Sequence, residues 1–246
     1  MSTFVGLCRD LFLLSQFGID ADGPARGYRW ESRIADYLAR RGAPVEALPG
    51  GCRIFGHSSL SGLAHQIDGA ISCGDALVIG EWKAHRGRIP KNELLRFKAG
   101  TDDFFMAMPG RGPRKPVMRV FGGAGTGGRE LRSYAALHGI SLIEPTRWPA
   151  PVLAVAHQFW PSQSSNPPSA HDRRRLAWLA RPVQYVLAAQ PSGGYLIPSP
   201  PPPSMISAVL DLHEEWSDRL WEAFDENVGT LESLIGSIPL HLDVAS

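Results

Sequence analysis

HQIDGAISCGDALVIGEWKAH, residues 65–85, poses the central problem of this chain. An apolar run from Ala76 to Gly80 leads straight into Glu81-Trp82-Lys83, and Asp68 lies thirteen residues before Glu81. Charged groups rarely sit where a hydrophobic pattern enters a core unless they are paired or bound to a metal. The two halves read as strands around SCGD, a β-hairpin. With Cys73-Gly74 or Ser72–Asp75 as the loop, Ser72 pairs with Asp75, Gln66 faces Glu81 and Ala64 faces Lys83. Opposed and alternate residues share a face, so Asp68, Glu81 and Lys83 project to one side and Trp82 to the other. An odd-length loop would reverse Asp68.

On the N-terminal side, GYRWESRIADYLARRG from Gly27 predicts a helix with Trp30, Ile34, Tyr37 and Leu38 on one face. Glu31 stands three before Ile34 and seven before Leu38, at the border of that stripe. A short strand is expected around residues 45–48. On the C-terminal side, RGRIPKNELLRFKAGTDDFFMAM predicts a helix with Pro90 at its first position. VMRVF (117–121) predicts a strand, RELRSYAALHG a helix closed by Gly139, and ISLIE (140–144) a strand. The expected fold is a mixed α/β sheet flanked by helices.

From about residue 145 the character changes. PTRWPAP, PSQSSNPPSAHDRRR and PSPPPPS are proline-rich connectors. MISAVLDLHEEWSDRLWEAFDE then forms an amphipathic helix. Ile206, Val209, Leu210, His213, Trp216, Leu220, Trp221 and Phe224 make its apolar stripe, which must bury against the body or a second chain. The expected division is a domain over 1–148 and a Pro-rich, helical C-terminal extension over 149–246.

Composition sets the class. The chain of 246 residues is 43% hydrophobic and 20% charged, in the range of globular proteins. No apolar run approaches the roughly 20 residues that span a bilayer. The N-terminal apolar stretch is interrupted by Arg9-Asp10 and lacks a preceding basic segment, so it reads as an amphipathic helix rather than a signal peptide. Cys8, Cys52 and Cys73 form no CxxC and no even framework, which argues against a disulfide scaffold or zinc site and makes the cytoplasm the expected compartment. Residues 1–204 hold 24 Lys+Arg against 15 Asp+Glu, a net of +9, whereas residues 205–246 hold one Arg against nine acids, a net of −8. A basic body suits an anionic partner; two solvated faces of opposite sign would look the same.

Metal-dependent phosphodiester hydrolysis needs carboxylates to hold Mg²⁺, a water the metal activates, and a cation beside the attacked phosphate. An Asp on one strand and a Glu-x-Lys on its neighbour present these groups on one surface. The order of Glu31 on a helix, Gln66-Ile67-Asp68-Gly69, Glu81-Trp82-Lys83 and a lysine-bearing helix resembles the PD-(D/E)XK nuclease superfamily, over residues 27 to about 145. Two positions depart from its pattern: Ile67 where proline is usual, and the bulky Trp82 inside ExK.

The resemblance implies a restriction-endonuclease-like fold, with Asp68 and Glu81 as Mg²⁺ ligands (Mn²⁺ substituting), Lys83 as catalytic lysine and Glu31 as auxiliary acid. It implies a DNA endonuclease of restriction, phage defence or repair. The alternatives are an RNA-directed nuclease, or a catalytically silent nucleic-acid-binding or assembly module. Lys91, Arg96 and Lys98 are candidate phosphate contacts. The 205–226 helix could join a homodimer or a partner protein, or lie over the basic body and gate the site.

Taken singly, each residue has a plainer reading. Asp68 could cap a turn, Glu81 and Lys83 could be an edge-strand ion pair, and Glu31 an exposed helix residue. His65 and His85 flank the motif and read as solvated or core histidines. GGAGTGG (122–128) lacks the GK[ST] of a phosphate loop and reads as a flexible connection. Arg173-Arg174-Arg175 is a weak anion-binding candidate.

Overall fold

The computed structural model describes residues 2–16, 24–40, 67–73, 76–85, 87–107, 117–156, 169–179, 186–188, 194–196 and 203–226. In chain order the elements are α1 (Ser2–Gln16), α2 (Pro24–Arg40), β1 (Gly69–Cys73), β2 (Ala76–Lys83), α3 (Lys91–Ala107), β3 (Val117–Gly123), α4 (Arg129–Leu137), β4 (Ile140–Ile143), α5 (Ala150–Ala156), α6 (Ala170–Leu179), β5 (Val186–Ala188), β6 (Gly194–Leu196) and α7 (Pro203–Glu226). Strands β1-β2-β3-β4 form one sheet in that order, and β5-β6 a separate pair. The chain is thus mixed α/β. The β1–β2 pair is antiparallel, while β2, β3 and β4 run parallel, joined through α3 and α4 as parallel neighbours require. The strand expected at 45–48 lies outside the described residues.

The hairpin forms two residues out of the expected register. Cys73 pairs with Ala76 and Gly69 with Gly80, leaving Gly74-Asp75 as the connection rather than Cys73-Gly74. Gln66 and Ala64, expected opposite Glu81 and Lys83, lie outside the described residues. A shift of two leaves every side chain on its expected face.

Each face of the sheet carries its own core. Val78 and Trp82 of β2 and Met118 and Val120 of β3 pack against Phe4, Leu7, Leu11 and Phe12 of α1 and Trp30 and Ile34 of α2. Val152 and Leu153 of α5 and Trp216 and Leu220 of α7 complete that cluster. On the other face Ile79 and Phe121 meet Leu94 and Phe97 of α3 and Leu131 and Ala135 of α4. The alternation along β2 therefore assigns Trp82 to the first face and Ile79 to the second.

Trp82 sits flat over glycines. A Cβ on Gly80 would lie 2.3 Å from the indole Cζ2, one on Gly122 3.0 Å from Cε3, and one on Gly69 3.5 Å from Nε1. Gly69 and Gly80 are cross-strand partners, and Trp82 itself pairs with Gly122. Three strands thus vacate one patch of sheet for one ring, which is how a bulky residue fits between Glu81 and Lys83.

Two helices differ from their sequence reading. The first is buried almost all round from Phe4 to Phe12, including Arg9 and Asp10. It is a core helix rather than a one-sided amphipathic one. Its charges are satisfied internally: Arg9 Nε donates to Asp10 Oδ1 at 2.5 Å, and the Tyr37 hydroxyl of α2 donates to the other carboxylate oxygen. In α3 the helix begins at Lys91, with Pro90 just before it and its carbonyl accepting from Glu93 N at 3.2 Å. Gly139 closes α4 as expected, with φ +61° in the left-handed region that stops a helix.

The apolar stripe of α7 is covered by the same chain. Ile206, Val209, Leu210, Trp216 and Leu220 are all buried. Both backbone groups of Trp148 are held by this helix: its N–H donates to Ser217 Oγ at 2.9 Å, and its carbonyl accepts from His213 Nε2 at 2.8 Å. Among the described residues no helix is long and apolar enough to cross a membrane.

Candidate active site

Asp68, Glu81 and Lys83 meet at the carboxyl-terminal end of β2. Continuing the β1–β2 register by one residue sets Asp68 opposite Glu81. The Asp68 carboxylate turns inward and Oδ2 accepts the backbone N–H of Trp82 at 2.8 Å. It thereby takes over the ladder bond that β1 would make if it continued. The same oxygen lies 3.5 Å from Lys83 Nζ, and Glu81 Oε1 lies 2.5 Å from that nitrogen. Lys83 therefore bridges two carboxylates, and the i, i+2 spacing on a strand is what lets it do so. The Asp68 and Glu81 side chains are only 5% and 15% exposed, and Lys83 27%.

The electrostatics are those of too many acids for one cation. Burial pushes the Glu81 carboxyl up to about 7, the neighbouring Asp68 adds to this, and Lys83 only partly offsets it. Glu31, on α2, is also raised, first by burial and then by Asp68, with Lys83 pulling the other way. Burial alone would lower the Lys83 ammonium, yet Glu81, Asp68 and Glu31 together raise it. Both ends of the Glu81–Lys83 pair are raised, the glutamate first by burial and then by its like charges, the lysine against burial by the acids around it. The lysine faces three acids, whereas the glutamate faces one lysine and two like charges.

A hard divalent cation fits this donor set. Among the described residues no group of three or more His, Cys, Asp or Glu side chains is gathered tightly enough to hold a metal by itself. Mg²⁺ is commonly held by only one or two carboxylates, with water and substrate phosphate filling its shell. Asp68 and Glu81 are such a pair, set side by side by the β1–β2 register and both close to Lys83 Nζ.

The other candidates are placed as follows. His85 Nε2 lies 2.6 Å from Glu93 Oε2, tying the end of β2 to the first turn of α3. His65 lies outside the described residues. Lys91 is exposed and 3.9 Å from Glu130, and Arg96 is exposed. Lys98 is turned inward: its ammonium lies 2.5 Å from Asp102, which also binds the buried Arg119 of β3. Arg174 is exposed on α6 and its Nε donates to Ala170 O.

The glycine-rich segment is tied down rather than slack. Ala124 N donates to Lys83 O at 3.1 Å, Thr126 N to Gly87 O at 2.7 Å, and Gly127 N to Glu144 Oε1 at 2.5 Å. Those amides are taken, so they form no phosphate cradle. Glu144 is the residue that sequence reasoning passed over. It is buried, receives Arg132 through Nε and Nη2 at 2.9 Å each, and pins the 122–128 segment from the end of β4. Its signal was the one that singled out Glu81, an acid at the end of an apolar strand. No protein-family model, curated protein or solved structure matches this chain.

Proposed function

We propose that this chain is a metal-dependent endonuclease that hydrolyses phosphodiester bonds of DNA, on a restriction-endonuclease-like fold of the PD-(D/E)XK kind, acting in restriction, phage defence or repair. The carrying observation is the convergence of Asp68, Glu81 and Lys83 at one strand end, with Lys83 Nζ 2.5 Å from Glu81 and 3.5 Å from Asp68. Asp68 and Glu81 would hold Mg²⁺ or Mn²⁺, which when bound supplies an activated water and screens charge on the phosphate. Lys83, its pKa raised, stays an ammonium at neutral pH. It therefore acts as a cation towards the developing phosphorane charge, not as a base. Asp68 is oriented by the Trp82 amide, and Glu31 sets the field behind it.

The test is incubation of the wild type and Lys83→Ala with supercoiled plasmid, single-stranded DNA and RNA, each in Mg²⁺, Mn²⁺ or EDTA. Metal-dependent cutting of DNA that the variant loses supports the reading. Cutting confined to RNA moves it to an RNA-directed nuclease. A second reading, a catalytically silent nucleic-acid-binding module, draws on the same lysine, because the ammonium already bridges both carboxylates. It predicts salt-sensitive binding with no product in any metal.

A further inference from the structure

A groove of about 340 Å³ opens beside α3 and α4, lined by Arg88, Pro90, Lys91, Gly128 and Glu130 among others. It lies where the chain leaves the carboxyl ends of β2 and β3, the rim on which open α/β sheets place their ligands. Arg88 is the notable side chain. Its backbone is fixed by a parallel bridge to Thr126 and by Ile89 N donating to Thr126 O at 2.9 Å. The preceding Gly87 has φ +80°, which turns the chain out of β2. The guanidinium lies against Gly128 so closely that a Cβ there would come within 1.9 Å of Nη2 and 2.8 Å of Cζ. It remains exposed, and among the described residues no carboxylate pairs with it. Lys91, also exposed, borders the same groove.

We propose that Arg88 and Lys91 form a phosphate track that holds the DNA backbone beside the Asp68–Glu81–Lys83 centre. An exposed guanidinium seated on a side-chain-free backbone offers its planar fork to an anion, and Arg matches phosphate geometry in two bonds. Lys91 adds a point charge. The track joins the centre through Lys83 O, which accepts Ala124 N, and through the two segments carrying Arg88 and Gly128, bonded to each other at Thr126. The choice of phosphate over other anions rests on the nuclease reading above.

The experiment measures binding of a short labelled DNA duplex, and an RNA duplex of the same sequence, by anisotropy in EDTA across a salt series. Arg88→Ala and Lys91→Ala should each weaken DNA binding and flatten the log–log salt slope by about 1. Arg88→Lys should restore the slope. Gly128→Ala, which displaces the guanidinium without removing charge, should weaken binding, with far-UV circular dichroism unchanged throughout. Wild-type affinity and slope in both alanine variants would overturn the track, as would an effect confined to RNA. Plasmid cleavage in Mg²⁺, run on the same preparations, separates the two ideas. Cleavage with no Arg88 effect removes only the track, whereas slope changes without cleavage remove only the nuclease.

Discussion

The Asp68 carboxylate accepts the backbone N–H of Trp82 at 2.8 Å, so the acid just before β1 is held by the residue whose side chain points away from it. Orientation of Asp68 and anchoring of Trp82 are thus one problem. Asp68→Asn keeps an acceptor for that amide while removing the charge. We expect it to retain the thermal midpoint and to lose cleavage by about 100-fold or more, with Lys83→Ala losing about as much. Quantified plasmid nicking beside a melting curve checks both.

Glu81 makes the centre sensitive to pH in a defined direction. Its folded pKa, about 7, lies above the ordinary 4.5. Between those values the folded state binds more protons than the unfolded state, so stability falls as pH rises through the window. Melting in EDTA at about pH 5 and about pH 8 should show the decline, and Glu81→Gln should flatten it. Divalent-cation affinity should run oppositely, rising with pH through about 7, because Glu81 must release its proton to become a ligand. Calorimetric titration with Mg²⁺ in buffers of different ionisation enthalpy would count that proton.

Trp82 and its glycines make a packing prediction. Gly80→Ala places a Cβ 2.3 Å from the indole and should cost about 1–3 kcal/mol. Trp82→Ala empties a buried site and should cost about 3–5 kcal/mol. The double variant should cost less than the sum, since the clash vanishes with the ring. Urea unfolding of the four proteins gives the coupling.

Glu144 is a structural counterpart of Glu81. Glu144→Ala strands Arg132 and frees Gly127 N, and should cost about 3–5 kcal/mol by urea unfolding. Because Ala124 bonds the Lys83 carbonyl within the same tied segment, cleavage should fall as well.

Much of this was legible beforehand, for physical reasons. Side-chain direction on a strand depends on parity alone, so the shared face of Asp68, Glu81 and Lys83 survived a register error of two. The helices carrying Trp30–Ile34 and Leu94–Phe97 announced themselves by local periodicity. What local pattern does not contain is a partner. The burial of α1 on every side, the seating of α7 on Trp148 and the grip of Glu144 on Gly127 each join residues far apart in the chain. The pairing of Lys98 with Asp102 and Arg119 is likewise a matter of which face of α3 meets β3. Deleting residues 205–246, which would test masking of the site if α7 were peripheral, removes Trp216 and Leu220 from the core and should unfold the chain instead.

Phe12 of α1 and Trp221 of α7 stand 5.7 Å apart between ring centroids, with Trp148 against both. Roughly 200 residues separate the outer two, a loop whose closure entropy is met only when α7 docks. During synthesis, then, the strands that carry Asp68, Glu81 and Lys83 are made while the part of the α1 face that meets Trp221 still lacks its cover. Completion of this core joins residues from Phe4 to Trp221, slow by topology, and part of an early-made apolar helix must be kept from other partners until α7 emerges.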